Sequence, residues 1–167
     1  IFIFAGVFAF AQSGVYYMNL GNDAEKKNRY SEAAGYFKQA AESFRQEGRQ
    51  GDSGLMLLRT AQSLRSAGDI TGSLKYYQEA VSIFEPHASD KKVMQVMSVA
   101  LNGQGLAYQQ NGEYNRALGC YKRAYDNFSS LDDKVNVGAV SGNLADLYNL
   151  LGRYDDALKY LDEALDC

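Results

Sequence analysis

The sequence predicts an all-α fold, a solenoid of four helix–turn–helix repeats preceded by an apolar N-terminal segment. Three observations carry this. Pro86 is the lone proline in 167 residues, so almost nothing interrupts the periodic stretches. Four segments share one pattern, a turn residue and an aromatic or Ile followed by small, large and small residues at helical spacing. Upstream of each lies a second helical stripe, so every unit reads as a helix, a tight turn and another helix. The small residues Ala33, Ser73, Ala117 and Ala157 fall 40, 44 and 40 positions apart, a period that marks stacked repeats.

Residues 1–13 form an apolar arm, expected to be helical and to continue into the first repeat. The repeats follow at about 14–47, 54–87, 98–131 and 138–167. The first has the stripe Tyr17, Leu20, Gly21, Ala24, a turn at Asn28, and then Tyr30, Ala33, Phe37 and Ala40. In the second, Leu57, Ala61 and Leu64 precede Gly68, with Ile70, Ser73, Tyr77 and Ala80 after it. The third runs Leu101, Gly105, Tyr108, Gly112, Tyr114, Ala117, Tyr121, Ala124, and the fourth Leu144, Ala145, Tyr148, Gly152, Tyr154, Ala157, Leu161, Ala164. Small residues on both helices of a unit allow close antiparallel packing. Glycine, or Asn28 in its place, suits the left-handed residue that ends a helix. Asp52, Asp90 and Asp132 or Asp133 stand where they could cap the next first helix. No such unit buries its apolar face alone, so neighbours must stack.

Composition narrows the function. A net charge of −3 argues against nucleic acid as a bulk electrostatic partner. One His and two Cys, the latter at 120 and 167, leave too few soft ligands for zinc. No nucleophile–base pair or carboxylate dyad stands out, so no enzyme and no cofactor are expected. Gly103-Gln-Gly105 resembles a broken dinucleotide motif, but no strand precedes it. His87 follows Pro86 in a connector, and Asn127-Phe-Ser129 is a glycosylation sequon that matters only on an exported protein.

The series aromatic, Leu-Gly, Tyr, Ala-x3-Phe/Tyr-x2-Ala resembles the tetratricopeptide repeat (TPR), most closely over 101–117 and 143–157. The period is longer than the usual one for that family, the second unit has Thr60-Ala61 for Leu-Gly, and it has Ser73 for Ala. The resemblance implies a right-handed superhelix acting as a non-enzymatic scaffold, whose concave face, lined by first helices, holds an extended peptide or a partner helix. On this chain the groove candidates are Asn19, Asn22, Arg59, Gln62, Asn102, Asn143, Asp146 and Asn149. Amides both donate and accept, which matches the backbone of an extended ligand. Family members that bind acidic chaperone tails use a basic and amide clamp on three first helices. Its positions fall here on Met18, Asn22, Arg59, Val99 and Gly103, where only Asn22 agrees, so such tails are not the expected ligand.

The N-terminal arm points elsewhere. Ile1, Phe2, Ile3, Phe4, Val7, Phe8 and Phe10 are large and apolar, and no charge appears before Asp23. Ala9-Phe10-Ala11 resembles a signal-peptidase site. Residues 1–22 as one helix would reach roughly 33 Å, close to the ~30 Å hydrocarbon core of a membrane, although Gln12, Ser13, Asn19 and Asn22 dilute the second half. The third reading is burial against protein, where each large side chain contributes about 1.5–3 kcal/mol. Its counterpart would be the end of the fourth repeat, with Leu161 and Leu165. A head-to-tail contact of this kind closes rings or builds filaments. The sequence therefore predicts a self-assembling homo-oligomer, extracellular or membrane-attached rather than cytoplasmic. An adaptor binding a partner peptide is the alternative.

Overall fold

The structure, a computed structural model, describes residues 13–165. Eight α-helices follow one another: α1 Gly14–Lys26, α2 Tyr30–Gln46, α3 Gln50–Ser66, α4 Ile70–Phe84, α5 Lys91–Gln110, α6 Tyr114–Ser130, α7 Lys134–Leu150 and α8 Tyr154–Leu165. Each packs on the one before it, so the four helix pairs form one continuous stack. A single 3-10 turn, Glu85–His87, lies between α4 and α5.

One three-residue turn is used six times. Its central residue is left-handed: Asn28, Gly48 and Gly68 in the first half of the chain, Gly112, Asp132 and Gly152 in the second. Those positions recur every 20 residues within each half, so turns inside a repeat and turns between repeats have the same form. The residue after each left-handed one donates its N–H back to a carbonyl five residues earlier, as Arg29 does to Ala24 (2.9 Å) and Asp133 to Phe128 (3.0 Å). That bond closes one helix. The same residue then serves as the N-cap of the next, so the chain reverses within three residues.

The middle of the chain breaks this rhythm. Pro86 sits in the 3-10 turn, Asp90 caps α5 by accepting from Lys92 N at 2.7 Å, and α5 is the longest described helix at 20 residues. This insertion accounts for the 44-residue step between Ser73 and Ala117. Asp133 caps α7, accepting from Asn136 N, while Asp132 forms the left-handed turn before it. Asp52 is not a cap. Arg49 holds that place at α3, and the Asp52 carboxylate lies in the first turn, accepting from Arg49 Nε at 2.8 Å. The first helices of repeats two, three and four begin at Gln50, Lys91 and Lys134, ahead of positions 54, 98 and 138. The longer period extends them backwards from the shared motif.

Aromatic rings pressed onto small residues make the core. Phe37, Tyr77 and Tyr121 are fully buried at equivalent places in α2, α4 and α6, and Ala33, Ser73, Ala117 and Ala157 all lie inside. A Cβ on Gly21 would stand 2.5 Å from Phe37 Cε1, and one on Gly105 the same distance from Tyr121 Cε1. Only glycine admits the ring at those two contacts. Ser73 replaces alanine without leaving its hydroxyl unmet, because Oγ donates to the Ile70 carbonyl at 2.7 Å.

Candidate functional site: a polar groove along the first helices

Helix contacts fix which face is the groove. Beyond sequential neighbours, α3 touches α5 and α5 touches α7, all first helices, so these helices line one side of the stack. Side-chain bonds run across it from one repeat to the next.

Asn22 and Arg59 meet between α1 and α3, with Arg59 Nη2 donating to Asn22 Oδ1 at 3.1 Å. The same guanidinium pairs with Glu25 and lies over the Phe37 ring, 4.7 Å from its centre. Ser63 adds a hydrogen bond to Glu25 Oε1 at 2.6 Å. Further along, Asn143 Nδ2 donates to Asn102 Oδ1 at 2.9 Å, joining α5 to α7. Four of the eight groove candidates thus meet as two cross-repeat pairs. Gln62 is half-buried and Asn19 is exposed. Asp146 and Asn149, also exposed, line a cavity of about 330 Å³ with Tyr154, Ala157, Leu158 and Leu161 at the last repeat.

Glu25 and Ser63 escaped the sequence reading. Glu25 reads as part of a solvated helix end with Asp23, Lys26 and Lys27, yet only Asp23 and Lys26 pair there, at 3.9 Å. The signal was opposite charge on successive first helices, Glu25 on α1 and Arg59 on α3, 34 positions apart.

Of the self-association residues, Ile1, Phe2, Ile3, Phe4, Val7, Phe8 and Phe10 lie outside the described residues. Leu161 is 46% and Leu165 85% exposed on α8, beside Tyr154 at 65% and Leu158 at 59%. The part of the proposed membrane span that is described belongs to α1, where Gly14 and Gly21 are buried against Phe44 and Phe37 of α2. No described helix is long and apolar enough to cross a membrane.

The opposite face holds a cavity of about 470 Å³ between α4, α5 and α6, with Leu101, Gln104, Tyr108 and Cys120 among its lining residues. Burial pushes the Cys120 thiol up to about 11, and its Sγ lies 3.6 Å from Gln104 Oε1. A thiol so protonated is a packing group, not a nucleophile. Among the described residues no cluster of three His, Cys, Asp or Glu could hold a metal. The Asn127 amide of the sequon is half-buried and donates to Ser98 Oγ at 3.0 Å.

Sequence models of the tetratricopeptide repeat match residues 18–88 and 96–167. The chain belongs to the tetratricopeptide repeat family. It is 24% identical over 154 residues to the transcriptional activator NprA of Geobacillus stearothermophilus, covering 90% of this chain and 36% of that protein. To the photosystem I assembly protein Ycf3 of Parasynechococcus marenigrum it is 28% identical over 109 residues, 65% of this chain and 59% of that one. It therefore spans about a third and about three fifths of these relatives. The crystal structure of aspartyl phosphate phosphatase F from Bacillus subtilis superposes with a TM-score of 0.80 at 18% identity, over 92% of this chain and 39% of that chain. At that identity the likeness speaks for the fold alone. As a TPR stack, the chain is a module for protein–protein interaction.

Proposed function

We propose that this chain is a non-catalytic adaptor that holds an extended segment of a partner protein along the groove formed by α1, α3, α5 and α7. The observation that carries this reading is the line of amide and charged side chains along that face, Asn22 and Arg59 in one pair, Asn102 and Asn143 in another, with Gln62 between. Amides and guanidinium groups arranged this way answer the alternating donors and acceptors of a peptide backbone. Ycf3, named for assembling another complex, is a relative in keeping with it. The test is capture of peptides from a displayed library of random twelve-residue sequences by the immobilised chain. Asn102→Ala with Asn143→Ala should weaken a selected peptide by about tenfold, each lost hydrogen bond being worth about 0.5–1.5 kcal/mol. Unchanged affinity would count against the groove.

A second reading rests on α8. Tyr154, Leu158, Leu161 and Leu165 form an exposed apolar face whose counterparts in the earlier repeats are covered by the following first helix. Self-association through this face, with the arm 1–13 as its counterpart in a neighbouring copy, would suit an extracellular or membrane-attached homo-oligomer. Light scattering decides it. Particles of higher mass that disperse with Leu161→Glu support self-association, and an unchanged 18.5 kDa monomer contradicts it.

A further inference from the structure

Repeats two and three place a tyrosine and a groove side chain at matching positions. In repeat three, Tyr121 of α6 reaches under α5 and donates its hydroxyl to Gln109 Oε1 at 2.8 Å. Forty-four positions earlier the same pair is Tyr77 and Arg65. Tyr77 is fully buried, and its ring passes beneath Gly103 of α5, where a Cβ would stand 2.7 Å from the hydroxyl oxygen. Arg65 offers donors only: its guanidinium lies beside the Tyr77 hydroxyl and can donate to that oxygen, but it cannot accept the hydroxyl proton as Gln109 accepts that of Tyr121. The Tyr77 hydroxyl and Arg65 Nε are both hidden from solvent, and neither donor meets an acceptor among the described residues.

Arg65 also lacks a carboxylate among the described residues. The nearest candidate by register, Glu25, is taken by Arg59 and Ser63. Of the two arginines that α3 turns to the groove, one is neutralised within the protein and the other is not. A half-buried guanidinium without a counter-charge is costly unless an anion comes to it. Repeat three finds its acceptor inside the chain; repeat two must take one from outside.

We propose that Arg65 receives a side-chain carboxylate of the bound peptide, with Tyr77 beneath it as a positioning residue, so that the groove selects acidic segments. This rests on the groove reading above and names its ligand class. Arg65 lies one turn beyond Gln62, so a peptide held by the amides passes directly over it.

The test uses the full chain and the same random twelve-residue library, selected in parallel on the unchanged protein and on Arg65→Gln. Glutamine is the residue that repeat three carries at this place, so the variant should fold, with a thermal midpoint at or above that of the parent. Peptides selected by the parent are expected to hold Asp or Glu at one fixed position. Their affinity should fall tenfold or more on Arg65→Gln, and by a similar factor when that acid is changed to its amide. Selected peptides without a fixed acid, or with equal affinity for both proteins, overturn the carboxylate site and leave the groove standing. Loss of binding on C-terminal amidation alone, with the side-chain amide tolerated, overturns the assignment to a side chain. Failure of both proteins to select any peptide overturns the groove reading itself.

Discussion

Tyr77 and Tyr121 occupy the same place in successive repeats, yet one hydroxyl has an acceptor and the other has none. Their replacement by phenylalanine should therefore have opposite signs. Tyr121→Phe removes a buried hydrogen bond and strands the Gln109 acceptor, lowering stability by about 1 kcal/mol. Tyr77→Phe removes a buried hydroxyl whose proton meets no acceptor, a desolvation costing about 1–3 kcal/mol, and Phe37 shows that the ring alone fits this position. Denaturant titration should show Tyr77→Phe equal to or more stable than the parent, and a loss would mean that the hydrogen bond from Arg65 outweighs the missing acceptor. None of this was legible in the sequence, which reads both tyrosines as the same repeat residue. The difference arises from what faces each across the groove, Arg65 or Gln109. Glu25 was hidden for the same reason, since its pairing with Arg59 depends on how α1 and α3 align, not on its own neighbours in the chain.

At the scale of the helix, the sequence showed most of the architecture, because small-residue spacing and turn residues are local signals. Gly68, Gly112, Gly152 and Asn28 end their helices in the left-handed conformation expected of them. Gly48 and Asp132 make the same turn between repeats; the repeat pattern draws attention to the turn inside each unit, so Gly48 goes unmarked and Asp132 reads only as a candidate cap. The four starting points of the first helices were harder to read. Capping by Asp90 and Asp133 was recognisable, whereas Asp52 sits one turn too late and arginine takes the cap. Two glycines test the turn directly. Gly48→Ala forces a Cβ into a φ of +75° and should lower stability by about 1–2 kcal/mol. Gly35→Ala, inside α2 with nothing within 4 Å of its Cβ, should raise it by about 0.5–1 kcal/mol. Thermal midpoints of the two variants moving in the same direction would contradict this account of the turn.

For the whole molecule, the stack behaves as one core whose buried acids are weak. Cys120 titrates near 11 against an ordinary 9.0, chiefly through burial, and burial raises Tyr77 and Tyr121 in the same direction. A raised pKa means that the folded state keeps its proton longer than the unfolded chain does. Stability contributed this way is fully present below pH 9 and is lost as the pH climbs towards 11. Unfolding midpoints should accordingly decline over that window, and alkylation of Cys120 at pH 8 should be much slower than that of a free thiol. Rapid modification of the folded chain at pH 8 would show that the thiol is neither buried nor protonated. The central claim is that partners are held along the first helices. Chemical-shift mapping with a library-selected peptide tests it most directly. The account predicts perturbations concentrated on α1, α3, α5 and α7, at Asn22, Arg59, Arg65, Asn102 and Asn143; perturbations centred on α8 or on the cavity beside Cys120 would contradict it.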